Sequence, residues 1–237
     1  MVITSMKAFL TVVVCVALSA CGRSPARTES SSVGERSDQQ AQAAAVSAPV
    51  SRPRIVFLGD SLTAGYGLEL AQSVPSLIAA RLEAEGYGYE VVNAGVSGDT
   101  SAGGLRRLDW SLAGDVRLLV LELGANDGLR GLPVADMKAN LSQIITTAQR
   151  RGIPVVLTGM EAPPNFGPTY TTEFRQVYRD LAKEFKVTFM PFYLEGVAGN
   201  PALNIADGMH PNPEGARIVE QNVWRTISPL LEKRSTR

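Results

Sequence analysis

Five short apolar runs, each followed by a segment of helical length, constrain this chain more than anything else in it. Arg54-Ile55-Val56-Phe57-Leu58-Gly59 is the first, and Tyr89 to Val92, Leu118 to Leu123, Val155 to Thr158 and Val187 to Pro191 follow. Runs that are apolar nearly throughout, rather than alternating, suit strands buried on both faces, as in a parallel sheet. Apolar residues at three and four spacing mark helices over Pro75 to Glu85, Ala102 to Leu112, Val134 to Arg151, Glu173 to Phe185 and Pro213 to Leu231. The alternation predicts an α/β fold: a three-layer α/β/α sandwich around a mostly parallel five-stranded sheet with right-handed crossovers. Ligands in such sheets bind beyond the carboxyl ends of the strands, so the loops after each run are where chemistry belongs.

The first fifty residues lack this pattern. Lys7 precedes an apolar run from Ala8 to Ala20, which reads as a secretory signal over residues 1–20 and is too short to span a membrane. Its end, Leu18-Ser19-Ala20-Cys21, resembles the lipobox of bacterial lipoproteins. That resemblance implies lipidation at Cys21, a membrane anchor and, with Gly22 rather than aspartate next, an exported site on the outer membrane facing the periplasm. A plain secretory signal and a soluble periplasmic protein is the alternative. Cys15 would leave with the signal, so the mature chain has no second cysteine for an internal disulfide. Residues 21–53, rich in Ser, Ala and Gln, read as a flexible tether, 54–232 as one domain and 233–237 as a tail. Lys plus Arg and Asp plus Glu number 23 each, and no basic cluster stands out, so no nucleic-acid partner is expected.

The only histidine is His210, in Asp207-Gly208-Met209-His210-Pro211. A single histidine cannot form a His-His metal pair, so no metal site is expected. Asp207 can accept from one ring nitrogen and leave the other free as a base, although a lone histidine in a proline-containing loop is commonplace. Gly59-Asp60-Ser61-Leu62 follows the first run and puts the Ser61 hydroxyl at the carboxyl edge. A capping turn built on Asp60 and Ser61 is the plainer account, and the missing glycine two places on argues against a G-x-S-x-G elbow. Asn93-Ala94-Gly95-Val96-Ser97-Gly98-Asp99-Thr100 follows the second run, as a site for close backbone approach or as a helix cap. Gly124-Ala125-Asn126-Asp127-Gly128 follows the third, where the Asn126 amide can serve an oxyanion or the segment is simply a turn.

Taken together and in order, these four words resemble the blocks of the GDSL-type SGNH hydrolases, most closely the periplasmic acyl thioesterase/lysophospholipase and arylesterase group. The likeness runs from Ile55 to about Leu231 and includes Gly59 to Gly67, Ser97 to Ser101, Gly124 to Gly131 and Asp207 to Asn212. It implies the flavodoxin-like SGNH fold and a serine esterase for small-molecule esters, thioesters or lysophospholipids, with no cofactor. It further implies Ser61 as nucleophile, His210 as base and Asp207 as its orienting carboxylate. The oxyanion would be held by the backbone N–H groups of Ser61 and Gly98 and by Asn126. Leu62, Tyr66 and Phe166, on loops at the reactive edge, are expected to contact substrate, although the Glu161 to Gly167 stretch that holds Phe166 reads first as a packed connector, while Asp60, Asp99 and Asp127 shape loops. A neutral base predicts activity that rises through a histidine titration, from an ordinary value of about 6.5. A carbohydrate O-deacetylase of the same fold and a non-catalytic surface lipoprotein that binds ligand are the alternatives.

Overall fold

The computed structural model describes residues 52–233, so the signal, Cys21, residues 21–51 of the tether and residues 234–237 of the tail lie outside the described residues. Strands β1 (Arg54–Gly59), β2 (Glu90–Gly95), β3 (Val116–Glu122), β4 (Val155–Thr158) and β5 (Thr188–Met190) form one sheet. Its order is β2-β1-β3-β4-β5 and every pair is parallel. This is the flavodoxin-like order, in which the chain reverses direction across the sheet between β2 and β3.

The helices are α1 (Ser61–Ala64), α2 (Val74–Ala84), α3 (Ser101–Arg106), α4 (Leu108–Ser111), α5 (Ala125–Leu129), α6 (Val134–Arg150), α7 (Gly167–Phe185) and α8 (Pro213–Ile227). α2 packs against α8, and α6 packs against α7 and α3. Right-handed crossovers put these two groups on opposite faces of the sheet. Ile55 to Leu58, Leu119 to Leu121 and Leu157 are completely buried, against Ile78, Ile144, Ile145, Phe174, Val219 and Ile227 from the helices. Each such side chain contributes about 1.5–3 kcal/mol by leaving water.

The expected elements are present, and four of them depart from expectation by more than two residues or in number. β2 continues through Gly95, three residues past the apolar run. The helix expected over Ala102 to Leu112 is two short ones, because the backbone leaves helical geometry at Arg107, whose side chain turns back to the sheet edge. α7 starts at Gly167 instead of Glu173, since Pro168 is compatible with a first helical turn. The last helix stops at Ile227 and tightens into a 3-10 turn over Ser228–Leu230, where Pro229 has no N–H to continue it.

Candidate active site

Strand register brings the predicted blocks together. Gly59 at the end of β1 lies beside Gly95 of β2 and Glu122 of β3. The chain then runs two residues to Ser61, three to Gly98 and four to Asn126, all off one edge of the sheet. Ser61 opens α1, and Asp60 caps that helix by accepting from the Leu62 N–H at 3.0 Å. Gly59 has no room for a side chain, because a Cβ there would sit 2.6 Å from Glu122 Oε2.

His210 arrives from the long segment after β5. Ile205 N–H donates to the His210 carbonyl at 2.8 Å and Asn212 N–H to the Leu203 carbonyl at 2.9 Å, closing a small hairpin with Asp207 in its turn. Asn212 then caps α8 by accepting from Glu214 and Gly215 N–H, both at 3.0 Å. The hairpin leaves Ser61 Oγ 2.8 Å from His210 Nε2, and His210 Nδ1 2.6 Å from Asp207 Oδ2. Asp207 Oδ1 accepts from the backbone N–H of His210 at 3.0 Å and of Met209 at 2.9 Å. Those two donors, with the imidazole, hold the Asp207 carboxyl down to about 2, so it is ionised at any working pH.

The three expected oxyanion donors come from the loops after β1, β2 and β3, at the same sheet edge. Gly98 sits at φ +84°, a left-handed backbone that glycine adopts without penalty. Its carbonyl accepts from Arg130 Nη2 at 2.7 Å. The Asn126 amide donates to Asp60 Oδ2 at 3.0 Å, which uses one of its two N–H bonds and aims the group.

Three residues at this edge escaped the sequence reading. Arg107 donates to Asp99 at 2.6 Å, to the Ala94 carbonyl at 2.6 Å and to the Gly59 carbonyl at 2.7 Å, fastening the ends of β1 and β2. Glu122 is fully buried and accepts from Asp60 N–H at 3.2 Å and Thr63 Oγ1 at 2.8 Å. Arg130 is the third. An acid inside an otherwise apolar strand run was the signal that Glu122 offered. Burial pushes the Asp60 carboxyl up to about 6, and burial followed by the Asp60 charge pushes Glu122 well above the usual carboxylate range. Asp99 and Asp127 shape loops: Asp127 is buried and accepts from Ser101 N–H at 2.7 Å and Ser101 Oγ at 2.6 Å. Among the described residues no three His, Cys, Asp or Glu side chains are grouped to hold a metal ion.

A serine, an imidazole and a carboxylate in hydrogen-bonded series can generate a nucleophile. The model of the GDSL-like lipase/acylhydrolase family matches residues 57–218. The chain belongs to this family. It is a GDSL-type serine ester hydrolase by that membership. It is 45% identical over 178 residues to esterase TesA of Pseudomonas aeruginosa, covering 75% of this chain and 89% of that one. Against the arylesterase of Vibrio mimicus the identity is 41%, over 73% and 88% of the two chains. Thioesterase 1/protease 1/lysophospholipase L1 of Escherichia coli is 35% identical over 75% and 84%. The crystal structure of TesA superposes with a TM-score of 0.72 at 45% identity, over 75% of this chain and 99% of that one.

The crevice beside Ser61 in this GDSL hydrolase is small. Leu62 and Tyr66 line a crevice with Ser61, Tyr193 and His210 whose free volume is only about 10 Å³, scarcely room for one water. The Tyr66 ring lies 4.7 Å from the His210 ring, tilted by 45°. Phe166 is placed differently: it is half-exposed over Gly131, 5.3 Å from the Tyr170 ring, and does not line the crevice. Larger hollows lie elsewhere. One of about 490 Å³ lies among Leu105, Gln143 and Arg151, and one of about 680 Å³ among Pro53, Tyr89, Asp115 and Pro154, which precede their strands at the opposite sheet edge.

Proposed function

We propose that this hydrolase cleaves short to medium acyl and aryl esters and thioesters, with Ser61 as nucleophile, His210 as base and Asp207 as the carboxylate that orients it. The hydrogen-bonded series from Ser61 Oγ through His210 to Asp207, at 2.8 Å and 2.6 Å, carries this reading. His210 Nε2 takes the serine proton as Oγ attacks the acyl carbon, and returns it to the leaving alkoxide or thiolate. The N–H groups of Ser61 and Gly98 and the free Asn126 N–H hold the oxyanion, and water then releases the acyl group by the reverse proton path. Of the eight large apolar side chains exposed among the described residues, Tyr66, Leu70, Val96, Leu129, Phe166 and Met209 all follow carboxyl ends of strands. Tyr66 beside the small crevice, with apolar side chains exposed on the other loops of this edge, supports an open site that accepts acyl or aryl groups without enclosing them.

Hydrolysis of p-nitrophenyl esters from acetyl to long-chain acyl, against Ser61→Ala as blank, tests the reading. A serine-dependent profile peaking at short or medium chains agrees with it, and a peak at long chains moves lysophospholipids ahead. Activity confined to acetylated polysaccharide would replace it with the deacetylase reading.

Export and lipidation at Cys21 are a separate proposal, supported by the Leu18-Ser19-Ala20-Cys21 sequence. Palmitate incorporation in cells that persists in Cys21→Ser would overturn it. Among the described residues no helix is long and apolar enough to cross a membrane.

A further inference from the structure

Beneath the Ser61 turn lies a polar cluster that the ester chemistry does not call on directly. Asp60 and Glu122 are both buried, and both carboxyls attach to the same short stretch of backbone. Glu122 Oε2 accepts from the Asp60 N–H and from Thr63 Oγ1, while Asp60 accepts from Leu62 N–H and the Asn126 amide. Glu122 Oε1 has no hydrogen-bond partner, and neither has the buried Tyr193 hydroxyl, which lies on the inner wall of the crevice. Burying a carboxyl in this way costs stability, and a leucine at the same place in the strand would avoid the cost. The space is nevertheless reserved for it, since residue 59 has no side chain on that side.

We propose that Glu122 is a positioning residue for hydrolysis at Ser61: its carboxyl clamps the Asp60 peptide and α1 from below, and so sets both the nucleophile and the Asn126 amide. The inference rests on Ser61 being the nucleophile. The clamp works through two bonds. The Asp60 N–H belongs to the Gly59–Asp60 peptide, one residue before Ser61, and the Thr63 hydroxyl lies two residues after Ser61 in α1, so the chain is held on both sides of the serine. The same Asp60 whose backbone is clamped orients Asn126 through its side chain, which couples the oxyanion donor to the clamp. Two buried carboxyls this close cannot both ionise cheaply. Asp60 has the better anion partners in the Leu62 N–H, the Asn126 amide and nearby His210, so Glu122 retains the proton and acts as a neutral clamp.

A neutral clamp distinguishes its variants. In p-nitrophenyl butyrate hydrolysis by the full chain, Glu122→Gln, which keeps an acceptor oxygen, retains kcat within about threefold, whereas Glu122→Leu lowers kcat about a hundredfold with KM within about threefold. Folded fraction is measured for each variant by near-ultraviolet circular dichroism. A folded Glu122→Leu with undiminished kcat, a change confined to KM, or a Glu122→Gln as impaired as Glu122→Leu overturns the proposal. Should Glu122→Leu not fold, the isosteric Thr63→Val decides: kcat falls about tenfold and Thr63→Ser restores it, and an unchanged kcat overturns the clamp. Ser61→Ala separates the two readings. Retained activity there sinks the nucleophile assignment itself, while its loss beside an intact Glu122→Leu sinks the positioning role alone.

Discussion

Asn126 donates its side-chain amide to Asp60, the residue immediately before Ser61, at 3.0 Å. The expected oxyanion donor from the third loop is thus aimed by the first. Asp60→Asn replaces one acceptor oxygen by a second amide and breaks the aim. Its kcat with p-nitrophenyl butyrate should fall about tenfold to a hundredfold at nearly constant KM, approaching the loss in Asn126→Ala. A double variant no worse than Asn126→Ala alone confirms one pathway; additive losses would separate the two residues.

Asp207 carries a different expectation. Asp207→Asn should lower kcat by about three to four orders of magnitude, because the imidazole is left in the wrong tautomer. Its effect on stability depends on pH. The folded carboxyl is held to about 2, below its ordinary value of 3.8, so its contribution is present above that ordinary value and is lost as pH falls through about 2. Urea midpoints of wild type and Asp207→Asn should differ at pH 5 and converge near pH 2.

Asp127 tests whether proximity to the site implies a chemical role. Its bonds go to Ser101 at the start of α3. Asp127→Asn should destabilise the fold by about 1–3 kcal/mol, the range for disturbing a buried hydrogen-bonded polar group, with kcat per folded molecule nearly unchanged. A rate loss as deep as that of His210→Ala would make Asp127 the working carboxylate instead.

The buried acid pair gives the opposite pH sign to Asp207. Glu122 has a folded value well above its ordinary 4.5, so the folded state holds a proton that the unfolded state releases, and stability falls as pH rises above that value. Glu122→Gln has no such proton. Denaturation midpoints should therefore move in favour of Glu122→Gln between pH 5 and pH 8; a constant difference would mean Glu122 is not perturbed.

The sheet was legible because β1, β3 and β4 are apolar nearly throughout, a pattern that only burial on both faces explains. Ser61, Gly98, Asn126, Asp207 and His210 were nominated as words in loops, and the register of Gly59 with Gly95 and Glu122 puts the first three of those loops at one sheet edge. Other features depend on partners far away in sequence. Arg107 sat in a helical pattern, and nothing local shows that it breaks the helix to reach Gly59, 48 residues earlier. Phe166 belongs to a loop at the reactive edge, but whether it faces the crevice or covers Gly131 is decided by packing on Tyr170. The start of α7 was obscured by Gly167-Pro168, residues that read as a break and here form a first turn.

The guanidinium of Arg107 grips carbonyls at the ends of both β1 and β2, along with the Asp99 carboxylate. A single rivet therefore joins the loop that carries Ser61 to the loop that carries Gly98. The two loops are expected to move together, which would hold the spacing between serine and glycine. An enzyme built this way can tolerate a soft, changeable mouth, and so diversify what enters, while the two riveted loops keep their spacing.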